Sequence, residues 1–343
     1  MTTTELTSDA APASRPPWTE TAKRVLPRQL SGLTLLPALV VVIIIGGVVN
    51  DAFLSRQNII NLLQQSSELS VVVVASTLIL IVGKFDLSLE SVFGLAPMVA
   101  AFLVTPLSIG GSGWDLNPFL AILVCLTVGG LVGVINGFLV VRLKLNAFIT
   151  TLAALILLRG VTLGVSGGKT LFDLPEPMLF LGKTTFAGVP ISILLAGGLF
   201  VVAGLVLRYH TFGRQLYAIG GNPDAARAAG ISVDRTIRVV FVIAGVLAAL
   251  AGLMLAGRVE SVTAAQGQNL IFTVFAAAVI GGISLDGGKG TMLGALTGVL
   301  LLGCIQNILT LAQLPTFWID ASFGAIILVA LIITRLTSGR DGA

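Results

Sequence analysis

Three short stretches have the composition of a phosphate cradle: "GGISLDGGKG" (281–290), "SGGKT" (166–170) and "LGKTT" (181–185). A P-loop requires G-x-x-x-x-G-K followed by Ser or Thr, because that hydroxyl holds magnesium. In the first stretch Lys289 is followed by Gly290, so the magnesium ligand is missing. In the other two, Leu163 and Pro177 occupy the position of the first glycine. No G-x-G-x-x-G follows a strand pattern either. The chain is therefore expected to hold no nucleotide and no cofactor of its own. Metal and nucleophile chemistry find no better footing. His210 is the single histidine, and Cys125 and Cys304 sit apart inside apolar runs. They read as small core residues rather than metal ligands or a disulfide.

The remaining reactive side chains are polar groups set in apolar surroundings, and the elements that carry them follow from composition. Only 10% of the 343 residues are charged and 55% are hydrophobic, which is too few charges to cover a soluble surface. Apolar runs of about 20 residues, long enough to cross roughly 30 Å of hydrocarbon, recur along the chain. The pattern predicts an all-α polytopic membrane protein of about ten spans: 31–50, 62–83, 88–106, 118–141, 147–165, 190–208, 237–257, 268–283, 290–312 and 316–335. The alternation of a β-barrel strand is absent. Residues 1–30 read as a flexible tail, 31–335 as the membrane domain and 336–343 as a second short tail.

Orientation follows from lysine and arginine in the loops. With the N-terminus cytoplasmic, 15 of the 20 cations fall inside and four fall outside, Arg159 lying within a span. This puts both termini in the cytoplasm and accounts for the net charge of +4 without a nucleic-acid partner. The long inner connection, 208–236, contains "NPDAARAAG". It reads as a short helix with Asn222 as N-cap, Pro223 at the first position, Asp224 in the first turn and Gly230 as the stop. Glycines four apart, Gly290/Gly294/Gly298 and Gly129/Gly133/Gly137, predict close helix contacts. "SLDGGKG" reads as a tight cytoplasmic turn.

Polar side chains within spans are costly and mark pathways. Asn61, Gln64, Gln65, Asn136, Thr150, Thr151, Gln306 and Asn307 are the candidates for lining one, with Ser67 and Glu68 beside them. The alternative for each is a hydrogen bond to a neighbouring helix. Arg159, the most costly single charge, is expected to snorkel or to pair with a carboxylate, in a structural or gating role.

Four spaced motifs complete the reading: "GKFDLSLESVFGLAPMVAAF", "NGFLVVRLKLNAFITTLAALILLRGVTL", "LYAIGGNPDAARAAGISVDR" and "VIGGISLDGGKGTMLGALTGVLLLGCIQNILTL". In this order, over residues 30–335, they resemble the permease subunits of bacterial sugar ABC importers, of the ribose, xylose, arabinose and galactose type. The branched-chain amino-acid permeases are more distant relatives. The resemblance implies a permease subunit in the bacterial cytoplasmic membrane, paired with a second copy or a paralogue and surrounded by membrane lipid. Separate ATPase subunits would carry ATP and magnesium below, and an extracytoplasmic sugar-binding protein would dock above. It also implies that Gly221, Asn222, Pro223, Ala226, Arg227 and Gly230 form the coupling helix, with small alanine faces suited to a partner's groove. Asp86, Ser88 and Asp286 would join Arg159 as structural or gating groups. One turn departs from the family, which commonly has "GGIDLS" where this chain has "GKFDLS", with Glu90 in place of a usual glycine. Lys84 is expected to pair with Glu90 or Asp86. An ion-coupled secondary transporter is the alternative function. A membrane enzyme ranks last, because no acid/base pair or nucleophile set is assembled.

Overall fold

The computed structural model describes residues 35–338. The expected tail 1–30, and the C-terminal tail beyond residue 338, lie outside them. Each of the ten predicted spans contains a helix. These helices are α1 (Leu36–Val49), α2 (Arg56–Ile81), α3 (Leu89–Val104), α4 (Pro118–Val141), α5 (Ala147–Ser166), α7 (Ile191–Tyr209), α10 (Val233–Val259), α11 (Leu270–Ile280), α12 (Met292–Leu311) and α13 (Thr316–Ser338). Among the described residues, six helices, α2, α4, α5, α7, α10 and α12, are long and apolar enough to cross a membrane, and α1, α3 and α11 are shorter apolar helices.

Among the described residues, three further α-helices and one 3-10 turn, Leu107–Ile109, arise in the connections. α6 (Glu176–Lys183) and a two-stranded hairpin, Thr185–Phe186 with Val189–Pro190, occupy the segment expected to be loop. α8 (Thr211–Gly221) and α9 (Pro223–Ala228) occupy the long connection 208–236. The short helix was anticipated in detail. Asn222 Oδ1 accepts from the backbone N–H of Asp224 and Ala225, both at 3.0 Å, and Gly230 adopts φ +80° just past the end. α8 was not anticipated. His210 caps it, its Nδ1 accepting from Phe212 N at 3.1 Å, and Gly213, Leu216 and Ile219 form its buried stripe.

Burial separates core helices from peripheral ones. In the most apolar window of α2, 83% of residues are buried, against 11% in α5. α2, α3 and α10 form the centre, and α10 runs along α4, α2 and α3. α5, α7 and α13 show rows of exposed Leu, Ile and Val outward, as lipid-facing helices do. The glycine spacing in α4 brings backbones together: a Cβ on Gly129 or Gly133 would overlap the Gly245 or Phe241 carbonyl of α10. Gly294 and Gly298 of α12 meet Gly281 and Ala277 in the same way. Gly290 departs from this series, since it precedes the Thr291 N-cap and lies in the turn.

α11 differs from the expected full span 268–283. Its 11 residues extend about 16 Å, half the hydrocarbon thickness. The chain before it supplies the rest by folding back into the protein. α10 ends at Val259, yet the Gln266 side chain donates to the carbonyls of Gly252 and Phe93, both at 3.0 Å. Gly252 lies seven residues before the end of α10, about 10 Å down the helix axis. Residues 261–269 therefore re-enter from the α10 end as irregular backbone, which is tolerated at membrane depth only where the protein surrounds it.

Candidate functional site

The re-entrant segment is held by a charged pair drawn from two other helices. Arg159 of α5 reaches Glu90 of α3, Nη2 to Oε1 at 3.3 Å. Arg159 Nη1 also donates to the carbonyl of Gln266 at 3.1 Å. The other carboxylate oxygen of Glu90 accepts from Ile271 N at 3.2 Å, satisfying one of the orphan amides of the α11 N-terminus. The expected Arg159–carboxylate pairing is formed, and Glu90 is its acid. The alternative pairing of Lys84 with Glu90 is thus replaced. Asp86 instead turns toward Ser88, accepting from its N–H at 3.0 Å and its hydroxyl at 2.6 Å.

Where the re-entrant segment meets α11, a cavity of about 290 Å³ opens beside α2, α12 and the end of α10. Gln65, Ser66 and Glu68 line it from α2, Arg258 from α10, Gln268 and Asn269 from the re-entrant segment, and Gln306 from α12. Phe93, Leu255 and Leu270 supply apolar wall. Glu68 is almost wholly buried and is gripped at both oxygens by Arg258, Nε at 2.6 Å and Nη2 at 3.1 Å. This fork-to-carboxylate geometry is the strong form of the ion pair. The amides of Gln65, Gln268, Asn269 and Gln306 make no hydrogen bond to another described residue; Gln65, Gln268 and Asn269 are exposed and Gln306 is half-buried at the cavity lining.

Of the eight proposed pathway residues, Gln65 and Gln306 line this cavity and the other six lie elsewhere. Asn307 is locked in a reciprocal amide pair with Asn58, at 2.8 and 3.0 Å. Gln64 donates to Gly182 O at 2.7 Å, tying α2 to α6, and Asn61 accepts from Gln57. Asn136 is buried and donates to Ser88 Oγ at 2.8 Å. Thr151 accepts from Leu87 N at 3.1 Å, and Thr150 bonds its own helix at Asn146 O. Glu68 was noted from its place in α2. Arg258, Gln268 and Asn269 were not: Arg258 follows the expected span 237–257, and Gln268 and Asn269 open the expected span 268–283. The available signal was "AAQGQN", an amide-rich run directly before an apolar segment too short to cross a membrane.

The residues expected to form a coupling helix gather around α9, away from this cavity. In α9, Ala226 is 4% exposed and packs inward, while Ala225, Arg227, Ala228 and Ala229 are exposed. The surface available to a partner is therefore Ala225, Ala228 and Ala229, and Ala226 anchors the helix to its own chain. Arg227 pairs with Asp224 at 3.2 Å and Asp234 at 3.4 Å, both exposed and so contributing little stability. Gly221, Asn222, Pro223 and Gly230 are exposed around it. Asp286 is exposed nearby, in a turn whose backbone lies against Gly83.

Comparison with known proteins places this architecture. Residues 58–331 match the family model described as branched-chain amino acid transport system / permease component. The chain is 34% identical over 299 residues to a ribose import permease of Haemophilus influenzae, covering 86% of this chain and 90% of that protein. It is 34% identical over 285 residues to an L-arabinose ABC transporter permease of Azospirillum brasilense, covering 82% and 81%. It is 35% identical over 306 residues to an autoinducer 2 import permease of Klebsiella pneumoniae, covering 89% and 86%. The long apolar helices agree with these matches over most of the chain, and the chain belongs to this permease family, on its sugar ABC importer side.

Proposed function

We propose that the chain forms the membrane passage of an ABC importer for a monosaccharide of the pentose or hexose class. The observation that carries this reading is the cavity at the tip of α11, where four uncommitted amides surround the Glu68–Arg258 pair. Neutral amides exchange hydrogen bonds with hydroxyls at little desolvation cost, whereas a solute carrying an ammonium and a carboxylate would require compensating charges. Glu68 and Glu90 are each paired with an arginine, rather than free to bind a coupling ion as a secondary transporter requires.

In this reading both termini are cytoplasmic and the ten spans lie in the bacterial inner membrane. The cationic loops and α8–α9 face the cytoplasm, and α6 with its hairpin faces out. A second copy or a paralogue completes the passage. A separate ATPase, carrying the ATP and magnesium, presses on the exposed face of α9, and an extracytoplasmic sugar-binding protein delivers substrate. This chain binds no cofactor. Its contribution is a shaped, partly polar route, and the tail, membrane domain and tail divide at residues 30 and 335.

The test is reconstitution of this chain with its ATPase and binding protein in proteoliposomes. Uptake driven by ATP is measured for ribose, xylose, arabinose, galactose and leucine. Saturable uptake of one or more of the sugars, without leucine uptake, is expected. Leucine uptake without sugar uptake would overturn the monosaccharide reading.

A further inference from the structure

We propose that Gly220, Gly288 and the Ile81 carbonyl form a backbone junction that carries motion from α8–α9 to α2, α11 and α12, three of the helices that line the cavity. The inference rests on the coupling role proposed for α9. It gives the cradle-like stretch 281–290 a function that nucleotide binding cannot supply.

The junction is built without intervening side chains. Gly288 N donates to Ile81 O, the last residue of α2, at 2.9 Å. A Cβ on Gly220, near the end of α8, would overlap both Ile81 O and Gly288 N. One on Gly288 would stand 2.8 Å from Gly221 N, and one on Gly287 would stand 2.7 Å from Gly83 Cα. Gly287 and Gly288 also adopt φ of +91° and +69°, where a side chain adds strain. Tyr217 of α8 fastens the far side, its hydroxyl donating to Gly290 O at 2.8 Å.

The connectivity makes this contact a point of transmission. α2 leads from Ile81 to Gln65 and Glu68; the turn itself joins the end of α11 to the start of α12, which carries Gln306. A displacement of α8 therefore acts on α2, α11 and α12 together. Backbone packed on backbone is stiff, because no side-chain rotamer can absorb the movement. Gly220 and Gly288 are positioning residues in this scheme, and neither touches substrate.

The test uses the assembled complex with its ATPase and binding protein in proteoliposomes, reading sugar taken up per ATP hydrolysed. Gly288→Ala and Gly220→Ala are expected to lower that ratio by about tenfold or more, with ATPase association retained. Gly197→Ala, a helix glycine with open space around it, should stay within about twofold. Wild-type stoichiometry in correctly inserted Gly288→Ala would overturn the proposal. Hydrogen exchange on the wild-type complex decides the matter even where the glycine variants fail to assemble. Protection of 211–229 by the ATPase, with exchange at 79–85 and 284–290 changing when ATP and vanadate are added, is the expected result. Protection at 211–229 without any change at 79–85 and 284–290 would overturn the junction and leave the coupling role standing. No protection at 211–229 would overturn the coupling role and the junction with it.

Discussion

Arg258 and Glu68 meet through two hydrogen bonds at 2.6 and 3.1 Å although 190 residues separate them in the chain. Their pairing ties the end of α10 to the middle of α2 at the wall of the cavity. Glu68 is deeply buried, so removing one partner leaves a charge without compensation, at a cost of about 3–5 kcal/mol. Glu68→Gln and Arg258→Met should each lower the melting temperature of the purified protein clearly. The double variant Glu68→Leu/Arg258→Met should recover much of that stability, yet transport should remain impaired because the polar wall is gone. Recovery of wild-type uptake by the double variant would show that the pair is structural alone.

Arg159 makes a three-way connection among Glu90, the Gln266 carbonyl and, at 3.5 Å, the Ala264 carbonyl. A lysine offers a single point of charge and cannot reproduce the planar fork. Arg159→Lys is expected to destabilise by roughly 1–3 kcal/mol and to speed amide exchange at Ile271 and its neighbours. Unchanged exchange there would mean that the pair does not hold the re-entrant segment.

Asp86 lies in the buried turn between α2 and α3, outside both helices. Burial pushes its carboxyl up to about 6, against two lowering hydrogen bonds from Ser88. An acid whose folded value exceeds its unfolded value holds its proton more tightly when folded. Stability is therefore greatest below the unfolded value of 3.8 and declines as pH rises toward about 6. Asp86→Asn should remove this slope and raise stability at pH 7, by at most about 3 kcal/mol. Thermal unfolding between pH 4.5 and 7.5 checks it: an unaltered slope in the variant would contradict the assignment.

Two adjacent alanines of α9 allow folding and the proposed coupling role to be tested apart. Ala225 is exposed and Ala226 is buried. Ala225→Asp should leave the permease folded while weakening ATPase-driven uptake severalfold. Ala226→Asp should destabilise the loop itself, since it buries a carboxylate without a partner. Equal, intact uptake in both variants would remove α9 from the coupling path.

What the sequence revealed and what it hid divide along the range of the interaction. Local signals were readable: apolar length located ten helices, and the Asn222–Pro223–Gly230 punctuation located α9 with its cap. Long-range partners were not. Arg258 follows the expected span 237–257 and reads as a loop residue, whereas it stands in the last turn of α10 and its carboxylate lies in α2. The short apolar run of α11 was taken for a full span, since hydropathy cannot show that 261–269 folds back against Phe93 and Gly252. Ala226 was grouped with its exposed neighbours because a six-residue alanine-rich helix has too little pattern to reveal its buried side. The polar residues of the spans show the same limit. Gln65 and Gln306 line the cavity while Asn136 and Asn307 bond to other side chains, and composition alone does not distinguish these fates.

The central claim is that this chain is a passage driven by another protein's ATP hydrolysis. Its most direct test is radiolabelled monosaccharide uptake into proteoliposomes, holding either the purified chain alone or the chain with its ATPase and loaded binding protein. No accumulation by the chain alone, with or without an ion gradient, and ATP-dependent accumulation by the full assembly are the predicted results. Accumulation against a gradient by the chain alone would contradict the account.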